Sequence, residues 1–189
     1  MDKILVKVDE LKTSYKRFYV SNVTFQLTNG DILGLVGRSG SGKSTVLRTI
    51  LGQKQPDSGV ISAFVNDKHL NIADIVGYSP QENSLYSYLT LEENLQTFAR
   101  LWHVPKTEAR TRSDFLLKRL DLSRCSKKKI RQLSGGMQKR ADLAVSLIHS
   151  PKVIILDEPF TGLDISLQKF IWGLLLELSR EGRIIIISS

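Results

Sequence analysis

A single cysteine, Cys125, is the whole thiol content of these 189 residues. One cysteine excludes an intramolecular disulfide framework and any cysteine-based zinc cluster, and it suits a reducing compartment. Long apolar runs are missing as well. Residues 153–156 and 184–187 are runs of four, where a bilayer-spanning helix needs about 20. The N-terminus carries Ile4, Val6 and Val8 at alternate positions and has no signal-peptide core, which predicts a strand in a cytosolic chain. There is no internal repeat, no low-complexity stretch and no Gly/Ser/Pro-rich linker. A hydrophobic share of 41% with 24% charged residues is globular, and the length suits one domain with a small subdomain.

Acidic residues are scarce in one place. Residues 100–140 hold 13 Lys/Arg against 3 Asp/Glu, while the remainder holds 14 against 16. The net charge of +8 therefore belongs to a single segment. Such a segment serves nucleic acid, anionic lipid or a solvated helical face. Its aromatics are limited to Trp102 and Phe115, which argues against nucleic acid.

Periodicity then orders the chain. Residues 4–8, 19–27, 32–36, 60–65 and 75–79 read as strands, with helix expected over 44–51 and a Pro56-Asp57-Ser58-Gly59 turn after it. Thr90 and Glu93 form a capping-box pattern for a helix to about Trp102. A second helix is expected over 107–120 with Phe115, Leu116 and Leu120 on one face. Ser134 is the expected N-cap of a helix to about His149. The tail reads strand 152–156, helix 166–179, strand 183–187. Strands separated by helices imply a parallel sheet and an α/β fold.

Three motifs carry chemistry. Gly37-Arg38-Ser39-Gly40-Ser41-Gly42-Lys43-Ser44 satisfies G-x-x-x-x-G-K-S/T between an apolar strand and a helix. Glycines let the backbone wrap a phosphate with its N–H groups, Lys43 can reach the β- and γ-phosphates, and the Ser44 hydroxyl can ligate Mg²⁺. The pattern arises by accident in roughly one such chain in a hundred. Secondly, the apolar run at 153–156 delivers Asp157 and Glu158 at a carboxyl end, where α/β sheets bind ligands. Asp157 would hold Mg²⁺ through water, and Glu158 would polarise the attacking water. Thirdly, Ser134 followed by Gly135 and Gly136 opens a helix with unoccupied N–H groups, a second anion site 91 positions after Lys43. One chain needs only one γ-phosphate site, so the second would serve a partner paired head to tail.

With these motifs in this order, the whole chain resembles the nucleotide-binding subunit of ABC transporters, of the export type. Residues 133–138 resemble the family signature, with Met137 where Gln is most usual. The resemblance implies a P-loop NTPase core with a parallel sheet, an N-terminal antiparallel β subdomain, and an α-helical subdomain at about 83–150 carrying the signature. ATP and Mg²⁺ are implied. Gln81, in Tyr78-Ser79-Pro80-Gln81, matches the Q-loop glutamine that senses Mg²⁺ and the permease; Thr161-Gly162-Leu163-Asp164 matches the D-loop. Tyr15 stands where an aromatic residue would stack on adenine, while Thr45 completes the phosphate loop's helix start. Tyr86, Tyr88 and Leu89 are candidate permease contacts. The implied partners are a transmembrane permease and a second ATPase subunit, identical or different, at the cytoplasmic face with peripheral membrane contact.

One departure stands out. The sequence ends at Ser189, where the family's next residue would be the switch histidine, and His69, His103 and His149 lie elsewhere in the order. The resemblance then implies a domain cut short that binds ATP but turns it over more slowly than an extended form. Two alternatives stay open: a soluble ATPase of the same superfamily, and a nucleotide-binding module with poor turnover. Against the first, the 91-position spacing from Lys43 to Ser134 leaves no room for a long coiled coil.

Overall fold

The computed structural model describes residues 2–15 and 18–189. A four-stranded antiparallel sheet comes first, in the order β2-β1-β4-β5, with β1 at Ile4–Tyr15, β2 at Phe18–Thr28, β4 at Ser58–Val65 and β5 at Lys68–Leu70. The second sheet is parallel, in the order β3-β8-β7-β6, with β3 at Ile32–Leu35, β6 at Val76–Ser79, β7 at Val153–Leu156 and β8 at Ile184–Ser188. Both the α/β class and the antiparallel subdomain expected from the sequence are present.

Two departures have local causes. The segment read as a turn at Ser58-Gly59 is the start of β4. β1 shifts register after Asp9, and a Cβ at Gly59 would lie 2.6 Å from the Glu10 carbonyl. Only a glycine, here with φ +92°, lets β4 pass that bulge. β5 is three residues long, too short to show a period.

Side-chain alternation in the parallel sheet divides the interior in two. Val153, Ile155, Ile184 and Ile186 join the core beneath the antiparallel sheet, with Val6, Val8 and Leu47. Their neighbours Ile154, Leu156, Ile185 and Ile187 join the other core. Residues 153–156 and 184–187 are thus apolar at every position because both faces of β7 and β8 are covered. Helix α1 (Lys43–Ile50) contributes Leu47 and Ile50 to the first core, and Thr13 and Thr49 share a buried hydroxyl contact of 3.0 Å there.

The second core is closed by α2 (Leu91–Leu101), α3 (Lys106–Arg119), α4 (Gly135–Leu147) and α5 (Ile165–Arg180). The Thr90 hydroxyl accepts from the Glu93 N–H at 3.2 Å, and the Glu93 carboxylate accepts from the Thr90 N–H at 2.7 Å, so the expected capping box forms. That N–H holds the Glu93 carboxyl below its ordinary range. In α3 the expected face is partly wrong. Leu116 and Leu120 are buried, but Phe115 is 58% exposed and Leu117 is inside instead. Residues two apart stand about 200° apart on a helix, so with Leu116, Leu117 and Leu120 facing the core, Phe115 falls on the opposite side from Leu117. Among the described residues no helix is long and apolar enough to cross a membrane.

His149 joins the second core's helices to the parallel sheet. Its Nε2–H donates to the Val76 carbonyl at 3.0 Å, and its ring stacks on Trp102 at 3.8 Å. Nδ1 is buried with no hydrogen-bond partner among the described residues. Protonating it would bury a charge, and this desolvation lowers the His149 pKa to about 4. The unfolded imidazole titrates near 6.5, so its stabilising contribution is complete above that pH and is lost as pH falls towards 4. Replacing His149 by Phe keeps a ring for Trp102 and removes the titration. Urea unfolding at about pH 7.5 and about pH 5 should then show a shallower loss than in the unaltered chain, by up to about 1 kcal/mol per pH unit after allowing for the ring's partial exposure.

Candidate functional site

Because β3, β6, β7 and β8 run parallel, their carboxyl ends open on one edge, and every sequence-predicted group of the first site except Tyr15 hangs from that edge. β8 is stitched to the loop after β3: the Ser189 N–H donates to the Leu35 carbonyl at 3.0 Å, and the Gly37 N–H donates to the Ser189 carbonyl at 3.2 Å. The loop then turns through Gly40 and Gly42, at φ +79° and +94°. Gly42 caps α1 without a side chain. The N–H groups of the first turn therefore have no intrahelical acceptor. They border a cavity of about 260 Å³ lined by Ser39, Gly40, Ser41, Gly42, Lys43, Ser44 and Thr45, together with Tyr15, Gln81 and Glu158.

The Lys43 side chain is 8% exposed and held by backbone. Its Nζ donates to the carbonyls of Gly37 at 2.7 Å and Arg38 at 3.4 Å, and lies 3.6 Å from the Glu158 carboxylate. Gly37 and Arg38 thus reach the site through their carbonyls and do not line the cavity. Glu158 is the meeting point. Its Oε2 accepts from Gln81 Nε2 at 3.2 Å and from the Thr161 hydroxyl at 3.3 Å. Its backbone sits at φ +48°, a region that a non-glycine residue rarely adopts.

Ser188 secures that conformation, and no local pattern in the sequence announces it. Its Oγ accepts the Glu158 N–H at 2.9 Å and donates to Asp157 Oδ1 at 2.5 Å. Asp157 is 3% exposed and lies behind the cavity lining. Tyr15, at the end of β1, is half-exposed and does face the cavity. The oxygen donors of Ser44, Gln81 and Asp157 suit a hard cation such as Mg²⁺.

The second predicted anion site lies apart. Ser134 caps α4 by accepting the Met137 N–H at 3.4 Å, and Gly135 has open space around it. A Cβ on Gly136 would meet Leu167 of α5 at 2.7 Å. None of the three lines the cavity around Lys43. Gly135 opens instead on a neighbouring cavity of about 210 Å³, whose lining includes Thr161 and Gln81. Gln81 alone belongs to both.

The basic segment is partly neutralised within the fold. Arg112 pairs with Glu108, Arg119 with Glu177 and Glu181, Lys127 with Glu92, and Arg140 with Asp121. Bordering α2 at Phe98, an apolar cavity of about 500 Å³ is walled also by Leu51, Tyr78, Trp102, Val145 and His149, among others. Tyr86, Tyr88 and Leu89 do not line it. Tyr86 packs on its Phe98, and Tyr88 lies under the Arg131 guanidinium at 5.0 Å.

Comparison with known proteins gives one family. Residues 20–161 match the family described as ABC transporter. The chain is 41% identical over 174 residues to "ABC transporter G family member 20" of Dictyostelium discoideum, covering 90% of this chain and 24% of that protein. It is 35% identical over 189 residues to "Nod factor export ATP-binding protein I" of Ralstonia nicotianae, covering 98% and 59%. The chain therefore spans about a quarter of the first relative's length and about three fifths of the second's. Among solved structures, "Structure of ATP binding subunit of ABC transporter" superposes with a TM-score of 0.84 at 29% identity, covering 98% of this chain and 79% of that one.

Replacing Ser188 by Ala would strip Asp157 and the Glu158 N–H of their shared partner inside the protein. Leaving such groups unpaired costs about 1–3 kcal/mol, to be read as a lowered urea midpoint at unchanged slope.

Proposed function

The chain belongs to the ABC transporter family, and from that premise we propose that it binds ATP with Mg²⁺ and hydrolyses it to energise a membrane exporter. The observation that carries this reading is Glu158, whose carboxylate lies 3.6 Å from Lys43 and 3.2 Å from Gln81 at the rim of the phosphate-loop cavity. The first-turn N–H groups of α1 and the Lys43 ammonium bind the β- and γ-phosphate oxygens, with Tyr15 against the adenine. Ser44, Gln81 and, through water, Asp157 would hold Mg²⁺, which would offset negative charge on the phosphates. The Glu158 carboxylate accepts a hydrogen bond from a water and aligns it for attack on the γ-phosphorus. As the new P–O bond forms, the bond to the β–γ bridging oxygen breaks, and ADP carries the released electron pair. Gln81 and Thr161 hold the Glu158 side chain in place for that step.

The Ser134, Gly135 and Gly136 site completes a second nucleotide pocket on a partner ATPase subunit, either a copy of this chain or a different one. Two such chains pair head to tail about a twofold axis, and ATP closes the interface from both sides. The coupling helix of a transmembrane permease occupies the apolar groove beside Trp102, with Tyr86 at its edge through Phe98. The protein then sits peripherally on the cytoplasmic face, where unpaired cations of the 100–140 segment meet anionic lipid. Membership among exporters is supported by the name of the Ralstonia relative.

Glu158→Gln keeps the shape of the side chain and removes its charge. Turnover should fall at least about 100-fold while ATP affinity changes less than about threefold. With ATP and Mg²⁺ this variant should sediment as a dimer. Retained turnover would overturn the role of Glu158; a persistent monomer would overturn the head-to-tail pairing.

A further inference from the structure

Asp142 is 2% exposed, an acidic side chain inside the protein to which the hydrolysis reading gives no task. A carboxylate is kept in an interior only when donors satisfy it. Here the donors come from one loop. Asp142 Oδ2 accepts from the Ser79 hydroxyl, and Oδ1 accepts from the Ser84 hydroxyl at 2.6 Å and the Ser84 N–H at 3.2 Å. One turn earlier on α4, Lys139 Nζ donates to the Pro80 carbonyl at 3.1 Å. Beside it, Gln138 Oε1 accepts from Asn83 Nδ2 at 3.0 Å.

These bonds fall on both sides of Gln81. Ser79 and Pro80 precede it, and Asn83 and Ser84 follow it. Gln81 is therefore presented by a loop whose two stems are fastened to the helix that begins at Ser134-Gly135-Gly136. We propose that Asp142 is a positioning residue that locks the Gln81 loop to α4, so that Gln81 and the second anion site move as one body. The inference rests on the proposed hydrolysis mechanism, in which Gln81 holds Glu158. It also gives groove occupancy a route to the nucleotide: Pro80 and Ser84 line the groove beside Trp102 and are themselves held by Lys139 and Asp142.

A double-mutant cycle in the full-length protein tests it, with Gln81→Ala, Asp142→Ala and the pair. A residue that acts only through Gln81 adds nothing once Gln81 is gone. Asp142→Ala should lower kcat about 10-fold with KM for ATP within about threefold, and the pair should be no slower than Gln81→Ala alone. Amides of residues 81–84 should exchange at least about 10-fold faster in Asp142→Ala, with those of β7 and β8 unchanged. Asp142→Asn, which can still accept from Ser84, should recover most of kcat. Should Asp142→Ala fail to fold, Ser84→Ala in the same cycle reads the same clamp. Multiplicative losses in the cycle, or faster exchange spread through β7 and β8, would reduce Asp142 to a general stabilising role and overturn the proposal. If Gln81→Ala itself leaves turnover intact, the mechanism fails at Gln81, while exchange at residues 81–84 still decides the clamp.

Discussion

Everything at the site depends on a parallel sheet that must be covered on both faces. Parallel neighbours cannot be joined by a tight turn, so each crossover carries a helix or a subdomain. Val153 and Ile155 look into one core while Ile154 and Leu156 look into the other. The polar residues that follow emerge together at the carboxyl edge because the strands share a direction. The loop to Lys43, the stem of Gln81, the Asp157-Glu158 pair and Ser188 are four strand ends placed side by side. The sheet's direction sets the chemistry, and the helices set what each strand end can feel.

Gln81 shows how the two halves of the molecule meet. It lines both cavities, bonds to Glu158 on one side, and is carried by stems fastened to α4 on the other. The positive φ of Glu158 adds a local cost of about 1–3 kcal/mol that survives only where surrounding bonds fix the backbone. Ser188 supplies such a bond from β8, the strand that also touches the phosphate loop through Ser189. A displacement of one strand end is thus felt at its neighbours within a single hydrogen bond.

The sequence makes legible what is local. Thr90 with Glu93, Ser134 before two glycines, and the glycine-rich stretch before Lys43 each specify a helix start within four to eight residues. The apolar runs at β7 and β8 specify buried strands in the same way. What stayed hidden is long-range. Ser188 meets Asp157 across 31 positions, and Ser79 meets Asp142 across 63. Neither pairing leaves a period or a turn signal. Asp142 did offer a hint, as an acid between Ala141 and Leu143 in a helix otherwise apolar over that stretch. Phe115 misled for the opposite reason: the buried stripe of α3 is centred on Leu116, Leu117 and Leu120, which turns Phe115 toward water.

The stacked pair of Trp102 and His149 has a spectroscopic consequence. The chain holds two tryptophans. Trp172, midway along α5, lies edge-on to Phe160, while Trp102 lies flat on an imidazole held neutral in the wall of the apolar groove. The groove therefore carries its own fluorophore, stacked on a ring 3.8 Å away. Whatever enters the groove must change the emission of Trp102, and Trp172 provides an internal reference elsewhere in the same molecule.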